Sequence, residues 1–107
     1  MDKNEILQLE AANDGQTLYL FYDDMVGLYL AFGLSAYYLT MVTDPFMSYS
    51  KAMDMPVVLL NRSHIKVLRQ SLTKVEHVQK SFYVFRMRQK IGDAGYERWK
   101  ETLPNGK

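Results

Sequence analysis

The stretch "LYLFYDDMVGLYLAF", residues 18–32, joins two apolar runs through an Asp23-Asp24 pair. In the first run, apolar and aromatic side chains occupy both alternating faces, which predicts a strand over residues 17–22 that is covered on both sides. The carboxylates of the Asp pair can accept hydrogen bonds from the unpaired N–H groups at a helix start. We therefore expect a helix over residues 25–38, in which the segment 28–32 packs beneath a sheet.

Outward from this stretch, the sequence predicts strands that alternate with helices. Residues 3–12 are expected to form a first helix, which ends at the turn-forming residues 13–15. Downstream, we expect a strand over residues 37–46, closed by Asp44-Pro45, and a loop over 47–55. The run "PVVLL", residues 56–60, predicts a buried strand.

The clearest helical pattern covers residues 61–75. Either Ser63 or Asn61 can cap its first turn, because both side chains carry an oxygen that accepts from backbone N–H groups. The residues expected to face inward are Ile65, Leu68, Leu72 and Val75, and those expected to face outward are Lys66, Arg69, Thr73 and Lys74. This spacing indicates a helix with one apolar side and one basic side.

The last third of the chain predicts one more strand and one more helix. After a polar break at residues 76–81, "FYVFRMR" (residues 82–88) alternates, and one face ends in Arg86 and Arg88. Residues 96–103 are expected to form a terminal helix, with a frayed tail up to residue 107. The whole pattern predicts a single α/β domain over residues 1–107, built as a small mixed sheet flanked by helices.

Composition agrees with one soluble domain. The chain has 107 residues, of which 48% are hydrophobic and 23% charged, and it contains no cysteine. Disulfides, thiolate metal sites and a cysteine nucleophile are thereby excluded. Residues 25–43 carry no charge, but their many polar residues and the acidic flanks at Asp24 and Asp44 argue against a membrane span. The acidic N-terminus lacks the pattern of a secretory signal, so we expect a cytoplasmic protein without a membrane partner.

The two halves of the chain carry opposite charge. Residues 1–50 contain one basic and seven acidic side chains, a balance of −6, whereas residues 51–107 contain twelve and five, a balance of +7. One interpretation is a basic face for a polyanionic partner. The other is that the halves fold against each other and neutralise one another. The sequence leaves both open.

Catalytic and metal-binding patterns are weak. His64 and His77 are too far apart for a local metal motif, and consecutive residues such as Asp23 and Asp24 point in different directions. The sequence has no glycine-rich phosphate loop and no nucleophile motif. We therefore expect neither an enzyme nor a cofactor.

Three segments resemble, in order, the N-terminal mismatch-recognition domain of MutS-family DNA mismatch-repair proteins. The first is "LFY" followed by "MVGLYLAF" (residues 20–22 and 25–32), which is similar to the family's strand and its "MGDFYELF"-like helix start. The second is "MPVVLLNRSHIKVLRQSL" (residues 55–72), and the third is "VFRMRQKIGD" (residues 84–93). Together they cover most of residues 17–95.

The resemblance implies a DNA-binding domain that has lost its reading residues. In the family, a Phe wedges into the mismatched step and a Glu two residues later hydrogen-bonds the displaced base. Here Leu28 stands at the Phe position, Tyr29 follows it, and Leu30 stands at the Glu position. Leu28 can still act as an apolar wedge, but Leu30 has no hydrogen-bonding side-chain atom.

The sequence thus predicts a non-enzymatic binding module, and DNA is its first expected partner. The residues expected to contact DNA are Leu28, Tyr29, Arg62, Lys66, Arg69, Arg86 and Arg88, of which the five cations would bind phosphates with little sequence preference. The alternative is a protein partner or homo-oligomer with no nucleic-acid role. It is supported by eight tyrosines and seven methionines, residue types that are favoured in interface cores.

Overall fold

The described part of the chain contains four helices and six strands. The computed structural model describes residues 3–79 and 82–103, and of residues 73–79 the backbone alone. The helices are α1 (Lys3–Ala11), α2 (Gly33–Leu39), α3 (Arg62–Ser71) and α4 (Tyr96–Glu101). The strands are β1 (Thr17–Asp23), β2 (Leu28–Phe32), β3 (Phe46–Ser50), β4 (Met55–Leu60), β5 (Thr73–Gln79) and β6 (Phe82–Arg86).

The strands form one sheet in the order β3-β4-β2-β1-β6-β5, and each described pairing is antiparallel. Three pairs of consecutive strands, β1-β2, β3-β4 and β5-β6, are neighbours in the sheet. The combination of a sheet with flanking helices is confirmed, but the predicted mixed sheet is wrong. Strands that follow one another with a short turn between them pair antiparallel, whereas parallel strands need a long crossover.

The sheet buries apolar side chains on both faces. The first face carries α2 and α3, and its core includes Leu18, Leu20, Leu60 and Phe85, all at most 1% exposed. The second face carries Ile6 of α1 and a smaller core. That smaller core contains Phe21, Phe32, Met53, Val57, Phe82 and Val84. The prediction that the strand starting at residue 17 is covered on both sides is therefore confirmed.

The predicted helix over residues 25–38 is wrong. Residues 24–27 form a turn, Leu28–Phe32 is an extended strand, and a helix begins only at Gly33. Asp23 closes the turn, because its backbone C=O accepts from Gly27 N at 2.8 Å and its side chain accepts from Met25 N at 3.0 Å. Gly27 has φ +70°, a left-handed conformation that glycine adopts without steric cost. The Asp pair therefore belongs to a hairpin turn, and the segment 28–32 is a sheet strand rather than a helix beneath one.

Three further boundaries differ from the prediction. Residues 37–39 end α2 instead of starting a strand, and the expected loop over 47–55 contains β3, which pairs with β4 along its whole length. The helix predicted to reach residue 75 ends at Ser71, because Thr73 pairs with Arg86 in the sheet. Residues 76–79 of the expected break also lie in β5. For β3 and β5, pairing with a neighbouring strand overrides the local pattern.

The remaining elements agree with the predictions from the sequence. The helix at the N-terminus, the buried strand after residue 55, and the terminal helix after Gly95 lie where they are predicted. β6 is a strand, although it ends at Arg86 rather than at residue 88. The predicted frayed tail lies outside the described residues. Within the part of the chain that the structure describes, no helix has the length and apolar character needed to cross a membrane.

Candidate nucleic-acid interface

Helix α3 presents three cations on one side. Arg62, Lys66 and Arg69 are exposed and occupy positions i, i+4 and i+7, which share one face of a helix. On the opposite side, Ile65 and Leu68 are 5% and 0% exposed and pack into the core of the first face. The sequence prediction for this helix is confirmed for Ile65, Leu68, Lys66 and Arg69, whereas the residues predicted to continue it, 73–75, lie in β5.

A capping box fixes the start of α3. The side chain of Asn61 accepts from His64 N at 3.1 Å, and Nδ1 of His64 accepts from Asn61 N at 3.0 Å. The second ring nitrogen, Nε2, therefore carries the proton and donates to Asp44 O at 2.9 Å. The ring also packs edge-on against Phe46 at 5.5 Å between centroids. His64 thus holds the helix start against the loop before β3, which is a structural role.

Arg88 binds the C-terminal end of α3. Its Nε donates to Ser71 O at 2.8 Å, and the side chain is exposed. A cation that binds a carbonyl at a helix C-terminus also stabilises the negative end of the helix dipole. Arg88 thus adds a fourth cation at the C-terminal end of the helix, but Ser71 lies about half a revolution around the helix from Arg62, so Arg88 is not in line with the other three. We call Arg62, Lys66 and Arg69 the α3 cation row.

Three half-buried tyrosines lie on the same face of the sheet. The ring centroids of Tyr22 and Tyr29 are 4.9 Å apart, and those of Tyr29 and Tyr83 are 5.8 Å apart. Burial raises the pKa of Tyr29 above its usual value, and the charge of Tyr83 and a hydrogen bond with it add to the shift, whereas Arg62 opposes it. Arg62 is therefore close enough to act on this tyrosine cluster electrostatically.

The structure separates the residues that the sequence predicts to contact DNA. Leu28 is half-buried and shares the strand face of Leu30, which packs on the second core, whereas Tyr29 packs on the first. Arg86 also lies on the second face, in register with Phe82 and Val84 of the same strand. The structure brings together Tyr29, Arg62, Lys66, Arg69 and Arg88 on one side, and leaves Leu28 and Arg86 on the other.

Arg86 also has protein partners. Its guanidinium donates to the Asp14 carboxylate at 3.2 Å and to Gln16 Oε1 at 3.0 Å. Burial acts to raise the pKa of Asp14, but hydrogen bonds from Thr17 and Gln16 together with the charge of Arg86 outweigh it, and the net pKa is lowered. This pair joins the acidic and the basic half of the chain. Because its charge is already paired with a carboxylate, Arg86 is a poorer phosphate ligand than the cations of α3.

A concave feature lies at the C-terminal end of α3. A cavity of about 730 Å³ is lined by Met41, Val42, Ser71, Leu72, Met87, Arg88, Gln89 and Ile91. It is wide and open to solvent. Among residues 3–79 and 82–103, no group of three histidine, aspartate or glutamate side chains is placed to hold a metal ion. The side chain of Asp23 takes part in the hairpin turn, where it accepts from Met25 N.

Sequence reasoning found Tyr29 and the α3 cations but missed Tyr22 and Tyr83 as neighbours of Tyr29. A signal was present, because Tyr22 and Tyr29 flank the turn residues of a hairpin and pair directly across β1 and β2. This pairing could be predicted only if residues 24–27 were interpreted as a turn. The position of Tyr83 depends on the pairing of β1 with β6, which joins distant parts of the chain.

Comparison with known proteins adds no relative to this geometry. The resemblance of residues 17–95 to the MutS recognition domain therefore stays a prediction from the sequence, and its helix start corresponds here to a turn and a strand. No protein-family model, curated protein or solved structure matches this chain.

Proposed function

We propose that this chain is a non-enzymatic binding module that contacts the phosphate backbone of DNA through the α3 cation row. The single observation that carries the proposal is the face formed by Arg62, Lys66 and Arg69, which is exposed and contains no acidic residue in the helix. Lysine and arginine side chains supply most of the affinity of proteins for the DNA backbone. The row therefore has the chemistry of a backbone contact.

The charges of the row are available to a ligand. The ion pair Arg86–Asp14 lies on the other face of the sheet and involves none of these cations. From Arg62 to Arg69 the helix rises about 10 Å, a length that covers about three phosphates of one DNA strand. Three to four phosphate contacts are a reasonable number for such a surface.

The cluster of Tyr22, Tyr29 and Tyr83 lies beside Arg62, and it supports a DNA contact on this side of the molecule. Tyrosine rings that border a basic groove can stack on bases, although Tyr29 itself is half-buried and hydrogen-bonded to Tyr83. The proposal assigns no mismatch-reading role, because Leu28 lies on the opposite sheet face from the cations. It is limited to backbone contact without sequence readout.

Fluorescence anisotropy with a labelled duplex, titrated over a range of salt concentrations, tests the proposal. With three phosphate contacts, the logarithm of the association constant should fall against the logarithm of salt with a slope of about −3. The triple variant Arg62→Gln, Lys66→Gln and Arg69→Gln should lose nearly all of this slope, since each lost contact lowers it by about one.

A matched variant controls for net charge. Lys51→Gln, Lys90→Gln and Arg98→Gln removes the same three charges from exposed positions outside α3, and it should bind nearly as tightly as the wild type. Absence of binding at low salt, or equal losses in the two triple variants, would contradict a contact through α3.

A further inference from the structure

We propose that β3 is a dimerisation strand, which pairs antiparallel with β3 of a second copy of this chain about a two-fold axis at Ser48. This inference goes beyond the proposed function and uses a different surface. It gives a specific site to the homo-oligomer alternative that the composition left open.

The two edges of the sheet are built differently. β5, at one edge, contains Lys74, Glu76 and His77 and pairs with β6 through two shifts of register. Charged residues and irregular pairing are devices that protect edge strands from association. β3, at the other edge, reads "FMSYS", has neither charge nor proline, and keeps one register with β4 throughout. β3 thus lacks the protection that β5 has.

The free backbone groups of β3 can be assigned from its pairing. Tyr49 lies opposite Pro56, which has no N–H to donate to it. The pair is therefore of the non-hydrogen-bonded kind, and so is the next pair of the same alternation, Met47 with Val58. We infer that the N–H and C=O groups of Met47 and Tyr49 point away from β4, toward the open edge.

These groups fit an antiparallel copy of the same strand. With the two-fold axis at Ser48, Met47 of each copy lies opposite Tyr49 of the other, and the two residues exchange both backbone hydrogen bonds. The flanking charges also match, because Asp44 precedes the strand and Lys51 follows it, and both are exposed. Antiparallel pairing places Asp44 of one copy beside Lys51 of the other at each end. This self-complementarity favours a second copy over an unrelated strand.

An apolar row on the second sheet face reaches the same edge. Phe46, Leu59, Leu30, Phe21 and Phe82 are direct neighbours across five strands. Burial decreases along the row, from Phe82 and Phe21 at 7% and 6% exposed to Phe46 at 56%. Met47, on the other face of the strand, is 50% exposed. A paired copy continues the sheet beside both side chains, which removes apolar surface from water.

Sedimentation of the full chain over a wide concentration range tests the proposal. We expect a monomer–dimer equilibrium with a dissociation constant in the micromolar range, because one edge strand makes an interface at the small end of the usual sizes. Ser48→Lys places like charges directly opposite each other at the axis and should weaken the dimer about tenfold. Gln89→Lys adds the same charge at an exposed loop position beyond β6 and should leave the dimer unchanged.

A charge exchange tests the register. Asp44→Lys alone should weaken the dimer, whereas Asp44→Lys combined with Lys51→Asp should restore it, and a misfolded single variant could not be rescued in this way. A monomer at all concentrations, a dimer indifferent to Ser48→Lys, or a double variant as weak as the single one overturns the proposal. The α3 triple variant should dimerise normally, so a failure of this inference and a failure of DNA binding are separate results.

Discussion

Glu10 is the residue with the most perturbed chemistry among the described carboxyl groups. It is 8% exposed, and its carboxylate accepts from Ser35 N at 3.1 Å and from Ser35 Oγ at 2.7 Å. Gly33 passes so close that a Cβ there would lie 3.3 Å from the carboxylate. Burial raises the pKa of Glu10 from 4.5 to about 7, against the opposing effect of the Ser35 hydrogen bonds. The carboxyl group thus holds the first turn of α2 in place while its charge is disfavoured.

The folded protein should lose stability as the pH rises from about 4.5 to about 7. In that window the unfolded chain releases the Glu10 proton while the folded chain keeps it, so the free energy of unfolding falls, by at most about 3 kcal/mol, and then levels off. Glu10→Gln lacks this titration. The free energy of unfolding of the variant should therefore rise relative to that of the wild type as the pH increases. Urea unfolding at a series of pH values measures the difference.

Glu97→Gln is the matched control, because it removes an exposed carboxylate from α4. The other ionisable side chains are common to the proteins compared, so their contributions cancel when each variant is compared with the wild type. If the free energy of unfolding of Glu10→Gln changes with pH in parallel with that of the wild type, the Glu10 carboxyl group is not protonated in the folded state near neutral pH.

At the level of single elements, α3 depends on Asn61. This side chain accepts from His64 N, whereas Ser63 is exposed. Asn61→Ala should lower the free energy of unfolding by about 1 kcal/mol, the usual loss for an N-cap. Ser63→Ala should leave it nearly unchanged, although the sequence alone offered either residue as the cap. Denaturant unfolding of the two variants measures both effects. A larger loss of stability in Ser63→Ala would show that Ser63, two residues later, is the N-cap.

The elements divide into those that local sequence determines and those that it does not. β4 and α3 were predictable, because an unbroken apolar run and a regular apolar stripe are local signals. The segment 25–38 was not, since its apolar residues fit both a helical stripe and two alternating strand faces. The hydrogen bonds of Asp23 and the left-handed Gly27 decide for the hairpin. β3 resembled a loop because its strand state comes from pairing with β4.

For the whole molecule, the opposite charges of the two halves should matter for binding more than for folding. In the described part of the chain the ion pair between them is Asp14–Arg86, whose side chains are 50% and 42% exposed. Exposed pairs contribute about 1 kcal/mol or less and are screened by salt. Raising the salt from about 0.05 M to about 0.5 M should therefore change the free energy of unfolding by less than about 1 kcal/mol.

Chemical denaturation with urea at both salt concentrations checks this expectation, since urea adds no ions of its own. A loss of several kcal/mol would favour the other interpretation of the charge asymmetry, in which the halves neutralise each other. Thermal unfolding at the same two salt concentrations gives an independent reading.

The candidate site was predictable only in part at this scale. The cations of α3 were predictable from the sequence, because they lie on one helix and need no tertiary information. It could not tell that Arg86 points to Asp14 while Arg88 points to Ser71, since this depends on where β6 ends. The sequence also could not show that Leu28 and Tyr29 lie on different faces of the sheet, because this holds only if the segment is a strand.

The pairing of β1 with β6 has a consequence for synthesis of the chain. Thr17 lies opposite Arg86, so the middle of the sheet joins segments from near the two ends of the sequence. During translation β1 emerges early, and its "LYLFY" backbone waits without a neighbour on one side until the last quarter of the chain leaves the ribosome. Long-range ladders of this kind form slowly, and unpaired apolar strands aggregate. A prematurely terminated nascent chain is thus a natural client for chaperones.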